Sequence, residues 1–260
     1  MFSVVIPAYN CADTIERVLD SVLDQTRFDL IDEIIIINDG SKDNTEEVIQ
    51  NYIKIKKCNI IKFITQKNHG VSYTRNKGIK LATGKWIALL DADDLWKRNK
   101  IQRQYEIIKK NNNIKFLGSQ FPLKILVKKR KGLVKLTPRE LCLRSMPTTP
   151  SVVFEKDTGI KLGLYDEKMF YSEDINFFQK FLLIDSYYII AEDLVQIGIG
   201  KKFYGQNGLT SNLKCMHLGR NKNVRDLYKL GLISFFYMRI MLMFNQVKYW
   251  RRILKRKFEK

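Results

Sequence analysis

The chain has 260 residues, of which 45% are hydrophobic and 28% are charged. This composition is typical of one globular α/β domain with a small appendage at most, and it excludes a disordered or bilayer-spanning chain. The formal net charge of +19 favours contact with nucleic acid, anionic lipid or phosphorylated small molecules without choosing among them. A lysine-rich coding bias would produce the same charge.

The first hundred residues alternate between strand-like and helix-like segments. Four apolar runs predict strands, and three segments with apolar side chains at helical spacing predict helices between them. The first two helices follow capping-box sequences, Asp13-Thr14-Ile15-Glu16 and Asp43-Asn44-Thr45-Glu46. The predicted strands are residues 3–7, 34–37, 60–64 and 86–90, and the third helix is residues 72–81. This alternation predicts right-handed βαβ units and a parallel sheet.

After residue 94 the pattern changes to short strands mixed with helices. Thr137-Pro138 predicts a helix start, because proline suits the first helical position. The other predicted helices are residues 100–110, 173–183 and one or two helices within 223–260, and the predicted strands lie within 116–134 and at 151–155 and 187–190.

Carboxylates follow two of the predicted strands, at the sheet edge where ligands of open α/β sheets bind. Asp91-Ala92-Asp93-Asp94 places three carboxylates in four residues, and a divalent cation such as Mg²⁺ or Mn²⁺ would relieve their repulsion. The alternative is an acidic loop in which Asp93 or Asp94 caps the next helix. Asp39 would accept hydrogen bonds from a nucleobase or ribose, and Tyr9 would add an aromatic face. The alternative is that Asp39 is an ordinary turn residue and Tyr9 a core tyrosine.

Neither of two glycine-rich phosphate-binding signatures occurs in the sequence. Without G-x-x-x-x-G-K-[ST] or G-x-G-x-x-G, a P-loop kinase and a Rossmann dinucleotide enzyme are disfavoured. A metal ion together with basic side chains would then hold any phosphates.

These segments, in this order, resemble the family 2 glycosyltransferases, which have the GT-A fold. The matching segments are residues 3–10, Asn38-Asp39-Gly40-Ser41, Asn68-His69-Gly70, Arg75-Asn76-Lys77-Gly78, Leu90-Asp91-Ala92-Asp93-Asp94 and Tyr171-Ser172-Glu173-Asp174. The match is specific to about residue 100 and reasonable to about residue 210. It implies an inverting transferase that moves a sugar from a nucleotide diphosphate donor, usually UDP-linked, to an acceptor hydroxyl.

The resemblance also implies a role for each matching residue. Asp93 would ligate Mn²⁺ or Mg²⁺, and Asp174, supported by Glu173, would be the catalytic base that takes the acceptor proton. Asp39 would contact a ring nitrogen of the base. The implied donor-binding residues are Pro7, Ala8, Tyr9, Asp39, Arg75, Asp91 and Ala92.

Several of these roles have alternatives. Arg75 would also suit an exposed helix position, and Glu173 or Asp174 would also suit a helix N-terminus as a partner of its dipole. Related chains often carry a histidine near the metal, and Tyr204 stands in the comparable place here. The Q-x-x-R-W signature of processive polymerases is absent, so we expect one sugar to be added per acceptor.

The expected fold is α/β: a mostly parallel central sheet flanked by helices, in the GT-A arrangement, with a helical C-terminal tail. We expect residues 1–98 to form the nucleotide-sugar-binding half and residues 99–215 the acceptor and catalytic-base half of one domain. Residues 216–260 would form a basic amphipathic tail.

The tail predicts either membrane contact or packing on the domain. Apolar residues between 230 and 244 precede a basic run at residues 248–257, which suits a helix lying on an anionic membrane. The same pattern suits a helix whose apolar face packs on the domain. With no secretory signal and no apolar stretch of spanning length, we expect a cytoplasmic protein, peripheral on the inner membrane face at most.

The expected partners are a nucleotide-sugar donor and a carbohydrate or lipid-linked saccharide acceptor, as in bacterial members of the family that build lipopolysaccharide or capsule. A nucleotidyltransferase would use a similar sheet and metal but release pyrophosphate, and the Asp174 segment favours glycosyl transfer. A nucleic-acid-binding protein would explain the charge, but no recognisable module is present and acidic loops repel phosphate, so no nucleic-acid partner is expected.

Overall fold

The computed structural model describes residues 1–120, 124–125, 128–144, 147–199 and 212–258. Its helices are α1 Ile15–Leu23, α2 Thr45–Lys56, α3 Val71–Leu81, α4 Lys100–Lys110, α5 Pro138–Leu143, α6 Lys156–Lys161, α7 Glu173–Phe178, α8 Leu213–Lys229 and α9 Phe235–Phe258. Its strands are β1 Phe2–Ala8, β2 Ile31–Asn38, β3 Ile61–Thr65, β4 Trp86–Leu89, β5 Leu95–Trp96, β6 Phe116–Ser119, β7 Lys124–Ile125, β8 Lys128–Lys129, β9 Leu133–Lys135, β10 Val153–Glu155, β11 Tyr188–Ile190 and β12 Val195–Gln196.

A central sheet of eight strands has the order β3-β2-β1-β4-β10-β6-β11-β9. The first four strands are mutually parallel, as the βαβ alternation predicts. β10 then inserts antiparallel between β4 and β6, while β11 runs parallel to β6 and antiparallel to β9. The expected α/β architecture with a mostly parallel sheet is confirmed. Because β1, β2 and β4 are parallel, their carboxyl ends lie at the same edge of the sheet.

Both faces of the sheet are covered by apolar packing. Phe2, Val4 and Ile6 of β1 belong to one buried cluster, and Val5 belongs to the other. Alternate residues of a strand point to opposite faces, so a strand buried on both faces reads as one continuous apolar run.

Aromatic packing fixes α7 against the antiparallel part of the sheet. The rings of Phe154 and Phe177 meet edge to face with centroids 5.2 Å apart, and the ring of Phe178 lies 5.2 Å from that of Phe116. Each buried phenylalanine contributes about 1.5–3 kcal/mol through removal of apolar surface from water. These contacts fix the end of α7 against β6 and β10.

The two predicted capping boxes near the N-terminus are wrong, because the N-cap side chain of neither helix bonds a helical N–H. α1 begins after Thr14, whose hydroxyl donates to the carbonyls of Cys11 and Ala92 and caps no helical N–H. α2 begins after Asn44, while Asp43 accepts from the N–H and hydroxyl of Thr45. The Thr14 hydroxyl is thus used by a distant carbonyl, whereas Asp43 stays at the start of α2 and also accepts from the N–H of Ala12 at 3.2 Å.

Two other boundaries differ from the sequence prediction, and a third agrees with it. The helix expected at residues 173–183 is α7 followed by a 3₁₀ helix, Gln179–Ile184. The C-terminal helices begin at Leu213, ten residues earlier than expected, because the polar Asn212 caps α8 by accepting from the N–H of Cys215. The helix expected from Thr137 is confirmed and carries a complete capping box with Glu140.

The tail packs one face of α9 on the domain. Met238 and Met241 are buried in the core, the Tyr237 hydroxyl donates to the carbonyl of Arg139 at 2.9 Å, and Lys248 Nζ donates to the carbonyl of Leu143 at 2.9 Å. The opposite face exposes apolar side chains, including Phe236 at 78%. None of the helices in the described part of the chain is long and apolar enough to cross a membrane.

Candidate active site

The carboxyl ends of β1, β2 and β4 open into a cavity of about 1010 Å³. Ala8 pairs with Asn38 in the parallel register, so the loops that follow these two strands start side by side. The cavity wall includes all seven predicted donor-binding residues and the predicted metal ligand: Pro7, Ala8, Tyr9, Asp39, Arg75, Asp91, Ala92 and Asp93. The structure thus brings together residues from four separate segments of the sequence.

Asp39 is buried and holds the loop that follows β3. One carboxylate oxygen accepts from Gln66 Nε2 at 2.7 Å and from the N–H of His69 at 2.9 Å, and the other accepts from the N–H of Gly70 at 2.8 Å. The next residue must be glycine, because Gly40 has φ +69° and a Cβ there would lie 2.8 Å from the backbone nitrogen of Asn68. Asp39 is therefore more than an ordinary turn residue, since it shapes one wall of the cavity.

Tyr9 lies at the cavity mouth with 47% of its surface exposed. It is not a core tyrosine, and an exposed ring at the mouth of this cavity suits stacking on a flat ligand.

Arg75 is buried and joins two acidic segments. Its Nη2 donates to Asp91 Oδ1 at 2.7 Å, and its Nη1 donates to Glu173 Oε1 at 2.9 Å. The guanidinium also lies 5.4 Å from the ring centroid of Tyr165. The alternative of an exposed helix position is wrong, because α3 turns this residue inward, where a charge needs paired carboxylates.

Of the three carboxylates in the acidic tetrad, one forms a hydrogen bond within the fold and two line the cavity. Asp94 is buried and accepts from the N–H of Gly198 at 2.7 Å, and the carbonyl of Asp93 accepts from the N–H of Ile199 at 2.8 Å. Asp91 and Asp93 line the cavity. The helix-cap alternative is wrong, because β5 follows the tetrad and Asn99 is the N-cap of α4.

The pair Asp91 and Asp93 fits a divalent cation that takes its remaining ligands from a substrate. Carboxylate oxygens suit Mg²⁺ and Mn²⁺, and such sites often use one or two carboxylates together with phosphate oxygens. In the described ranges, no group of three or more His, Cys, Asp or Glu side chains is gathered as a metal site. Tyr204 lies outside the described residues.

Asp174 lies in the first turn of α7, after a strained residue. Ser172 has the left-handed φ of 56°, and its carbonyl accepts from Asn223 Nδ2 of α8 at 2.9 Å. Asp174 Oδ1 accepts the N–H of Ile175 at 2.7 Å, so this carboxylate does serve the helix start. Strain of this kind persists only where surrounding contacts enforce it, as at functional sites.

Neighbouring carboxylates at this helix start have different environments. Glu173 is paired with Arg75. Burial and the charge of Glu173 raise the pKa of Asp174 to about 7, against the opposing effects of its backbone hydrogen bond and Arg75. A carboxylate with such a pKa suits proton transfer at neutral pH.

Among the cavity residues that sequence reasoning missed are Thr14, the N-cap residue of α1, and Arg17 within α1. Arg17 is exposed and lies one helical turn after Thr14, so it adds a cation to a wall otherwise rich in carboxylates. The sequence signal for these two residues was their i, i+3 spacing after the first strand, which places them on the same face of the helix start. Neither histidine lines the cavity: the ring of His69 lies tilted against that of Tyr73, and the ring of His217 stacks on that of Tyr249 in the tail.

Comparison with known sequences identifies a family. The sequence model described as "Glycosyl transferase family 2" matches residues 3–132. An uncharacterised glycosyltransferase of Rickettsia typhi is 31% identical over 216 residues, which cover 75% of this chain and 63% of that protein. The putative teichuronic acid biosynthesis glycosyltransferase TuaG of Bacillus subtilis is 38% identical over 108 residues, 42% of each chain. The match thus spans less than two thirds of the length of these relatives.

Solved structures show the same fold. S. aureus TarS in complex with UDP-GlcNAc superposes with a TM-score of 0.69 at 17% identity, covering 93% of this chain and 70% of that one. The mannosyltransferase PcManGT of Pyrobaculum calidifontis, in complex with GDP-Man and Mn²⁺, gives a TM-score of 0.66 at 14% identity, covering 88% and 64%. The expected GT-A fold is confirmed.

Proposed function

Because the chain belongs to glycosyl transferase family 2, we propose that it moves a sugar from a UDP-linked donor to an acceptor hydroxyl with inversion at the anomeric carbon. One observation carries the proposal: a single cavity at the strand ends gathers Asp39, Arg75, Asp91 and Asp93, and the Arg75–Glu173 pair ties it to Asp174. Phosphate-binding groups and a proton acceptor are then adjacent.

The donor would bind across the ends of β1 and β2. Tyr9 offers its exposed ring to the base, with Pro7 and Ala8 beneath it, and Asp39 lines the same wall. The UDP-GlcNAc complex of TarS supports a UDP-linked donor, and the GDP-Man complex of PcManGT supports nucleotide sugars more generally. Arg17 would contact the diphosphate as a cation at the cavity wall.

A bound Mn²⁺ or Mg²⁺ would be held by Asp93, with Asp91 and Ala92 beside the donor. When bound, the metal neutralises charge on the diphosphate and makes it a better leaving group. The Mn²⁺ in the PcManGT complex supports this assignment. Asp91 is oriented for it by Arg75, whose hydrogen bond fixes one carboxylate oxygen.

Asp174 would act as the catalytic base. Its carboxylate accepts the proton of the acceptor hydroxyl, the hydroxyl oxygen forms a bond to the anomeric carbon, and the bond from that carbon to the diphosphate oxygen breaks. The nucleoside diphosphate leaves with the bonding electron pair, so one in-line displacement inverts the configuration. Glu173 supports the base, because its own charge is held by Arg75 and raises the pKa of Asp174.

We assign the acceptor to residues 99–215, which carry Asp174, and the donor to residues 1–98, with residues 216–260 as the tail. The acceptor would be a carbohydrate or a lipid-linked saccharide of the cell surface, which the printed name of TuaG supports.

Membrane contact would come from α9, at the cytoplasmic face. Its exposed apolar side chains recur in steps of four and three residues, so they form one stripe along the helix. The stripe consists of Phe236, Ile240, Met243, Val247, Trp250 and Leu254. Exposed basic residues such as Arg251 and Lys255 flank its end, which suits an anionic lipid surface.

The experiment is release of free nucleoside diphosphate from a panel of UDP-sugars and GDP-mannose in the presence of Mn²⁺. We expect slow hydrolysis of one UDP-sugar that is lost on chelation and in Asp93→Asn. Calorimetry with UDP and Mn²⁺ on the same samples provides the control. If no donor is hydrolysed and UDP does not bind, the proposed function is wrong.

A further inference from the structure

A second cavity, of about 440 Å³, lies between the sheet and the tail helices. Ser119 and Gln120 at the end of β6 form one wall, and Asn245, Lys248 and Arg252 of α9 form the opposite wall. The three α9 residues follow each other at spacings of three and four, so α9 presents one polar face inward while its apolar stripe faces outward.

The cavity is strongly cationic. Four basic side chains line it: Arg144, Arg220, Lys248 and Arg252. Burial lowers the pKa of Lys248, and the charges of Arg220 and Arg252 lower it further, so these groups are close enough to repel one another. The wall of this cavity therefore concentrates positive charge, which favours an anionic ligand.

The two carboxylates at this cavity are already paired on its outer side. Glu192 accepts two hydrogen bonds from Arg103, at 3.1 and 2.7 Å, and Asp193 accepts one from Lys97 at 2.5 Å. Each of these carboxylates therefore has a cationic partner that is not part of the cavity lining.

The segment around β12 joins this cavity to the donor cavity. Val195 and Ile197 line the cationic cavity, and Ile199 lines the donor cavity, where its N–H donates to the carbonyl of Asp93 at 2.8 Å. A ligand that spans from one cavity to the other would pass along a single short segment.

α8 joins the same cavity to the loop before Asp174. Gly219 packs so closely that a Cβ there would lie 2.3 Å from the carbonyl oxygen of Tyr171, and Arg220 is the next residue. Asn223, one turn later, or about 5 Å along the helix, donates to the carbonyl of Ser172. The cationic cavity therefore adjoins the element that carries the proposed base.

We propose that this cavity is the anion subsite of the acceptor and binds a phosphate group that the acceptor carries beyond the sugar whose hydroxyl reacts. The inference rests on the proposed function, because it assigns a position to the acceptor of that reaction. Guanidinium and ammonium groups recognise phosphate oxygens through charge-assisted hydrogen bonds, and Arg144, Arg220, Lys248 and Arg252 supply them from three sides. The phosphate belongs either to a lipid diphosphate or to a soluble phosphorylated glycan.

The test measures binding of two probes to the full chain by calorimetry in EDTA: glucose 1-phosphate, a soluble sugar phosphate, and farnesyl diphosphate, a lipid diphosphate. The variant Lys248→Gln/Arg252→Gln removes two cavity cations, and Arg252→Gln alone provides a milder change. Arg251→Gln is the matched control, since Arg251 is exposed and does not line the cavity. UDP binding with Mn²⁺, measured separately, reports whether each variant is folded and whether the donor site works.

We expect at least one probe to bind the wild type, and binding to weaken about tenfold or more in the double variant but not in Arg251→Gln. The tighter probe identifies the source of the phosphate. Equal binding by all variants, or no binding of either probe to the wild type, would overturn the proposal. Failure of UDP to bind would instead count against the proposed function, so the two failures are distinguishable.

Discussion

The guanidinium of Arg75 donates a hydrogen bond of 2.9 Å to the carboxylate of Glu173, which lies 98 residues further along the chain. Its other terminal nitrogen donates to Asp91 at 2.7 Å. Arg75 therefore fixes the acidic loop after β4 relative to the start of α7, and with it the proposed metal ligand relative to the proposed base.

Replacing Arg75 with glutamine should destabilise the folded protein. The change leaves the buried carboxylate of Glu173 without a cation, so we expect a loss of about 3–5 kcal/mol in the free energy of unfolding. Arg75→Lys keeps the charge but cannot reach both carboxylates, and should recover part of the loss. Denaturant unfolding measures both effects.

Arg98→Gln is the control for that comparison. Its pair with Asp24 is exposed on both sides, so the change should cost less than about 1 kcal/mol. Equal losses of unfolding free energy in Arg75→Gln and Arg98→Gln would show that the buried pairs of Arg75 stabilise the fold no more than an exposed pair does.

The raised pKa of Asp174 predicts a pH dependence of donor hydrolysis. Burial and the charge of Glu173 raise this pKa to about 7, and the base works only when deprotonated. The rate should therefore be full above that pKa and fall as the pH drops through it, while UDP binding with Mn²⁺ stays constant. A rate that is flat between about pH 5.5 and pH 8, well on both sides of this pKa, would contradict the assignment of Asp174 as base.

The buried hydrogen bonds of Glu33 predict a contribution to stability that is independent of the proposed site. Its buried carboxylate accepts from Ser3 and Lys62, both at 2.6 Å, and from the N–H and hydroxyl of Thr83. Burial raises its pKa, but these hydrogen bonds outweigh that effect and hold it at about 2. Glu33→Gln should lower the free energy of unfolding by about 1–3 kcal/mol at neutral pH.

The pH dependence of that loss follows from the lowered pKa. The contribution of Glu33 is complete above the unfolded pKa of about 4.5 and disappears as the pH falls toward 2, so wild type and variant should converge in acid. Asp32→Asn is the neighbouring control, because Asp32 forms an exposed pair with the N-terminal amine. A difference between wild type and Glu33→Gln that does not change with pH would contradict this explanation.

The exposed stripe on α9 predicts binding to anionic vesicles. Met243→Ser/Val247→Ser removes two side chains that are 71% and 66% exposed, so folding should be unaffected. Recovery with phosphatidylglycerol-containing vesicles in flotation should fall about tenfold. Leu218→Ser, an exposed apolar residue of α8 outside the stripe, should leave binding unchanged. Equal flotation of all three proteins would exclude membrane contact through this stripe.

Local sequence patterns predicted most of the strands and helices in the first hundred residues. The apolar run at residues 34–37 is β-branched because β2 is buried on both faces, and the loops after β1, β2 and β4 converge because parallel strands share an edge. The insertion of antiparallel β10 between β4 and β6 was not predictable, since short strands carry no signal of which neighbour they join.

Eight of the residues that line the cavity were singled out from the sequence, but the pairing among the candidate site residues was not. The motifs identified the cavity residues, whereas the burial of Arg75 depends on Glu173, which no local pattern connects to it. The helix start predicted at residues 13–16 likewise involves a distant contact, because the Thr14 hydroxyl donates to the carbonyl of Ala92, 78 residues away. The roles of Asp93 and Asp174 stay predictions that chemistry must test.

The most direct test of the account compares Asp174→Asn with wild type in two measurements on the same samples. We predict that hydrolysis of the preferred UDP-sugar falls about 100-fold or more, because general-base catalysis contributes at least that factor. The affinity for UDP with Mn²⁺ should remain at the wild-type value, because Asp174 does not line the donor cavity. Hydrolysis within about twofold of wild type, far less than the loss of a general base produces, would contradict the central claim that Asp174 is the base of this transferase.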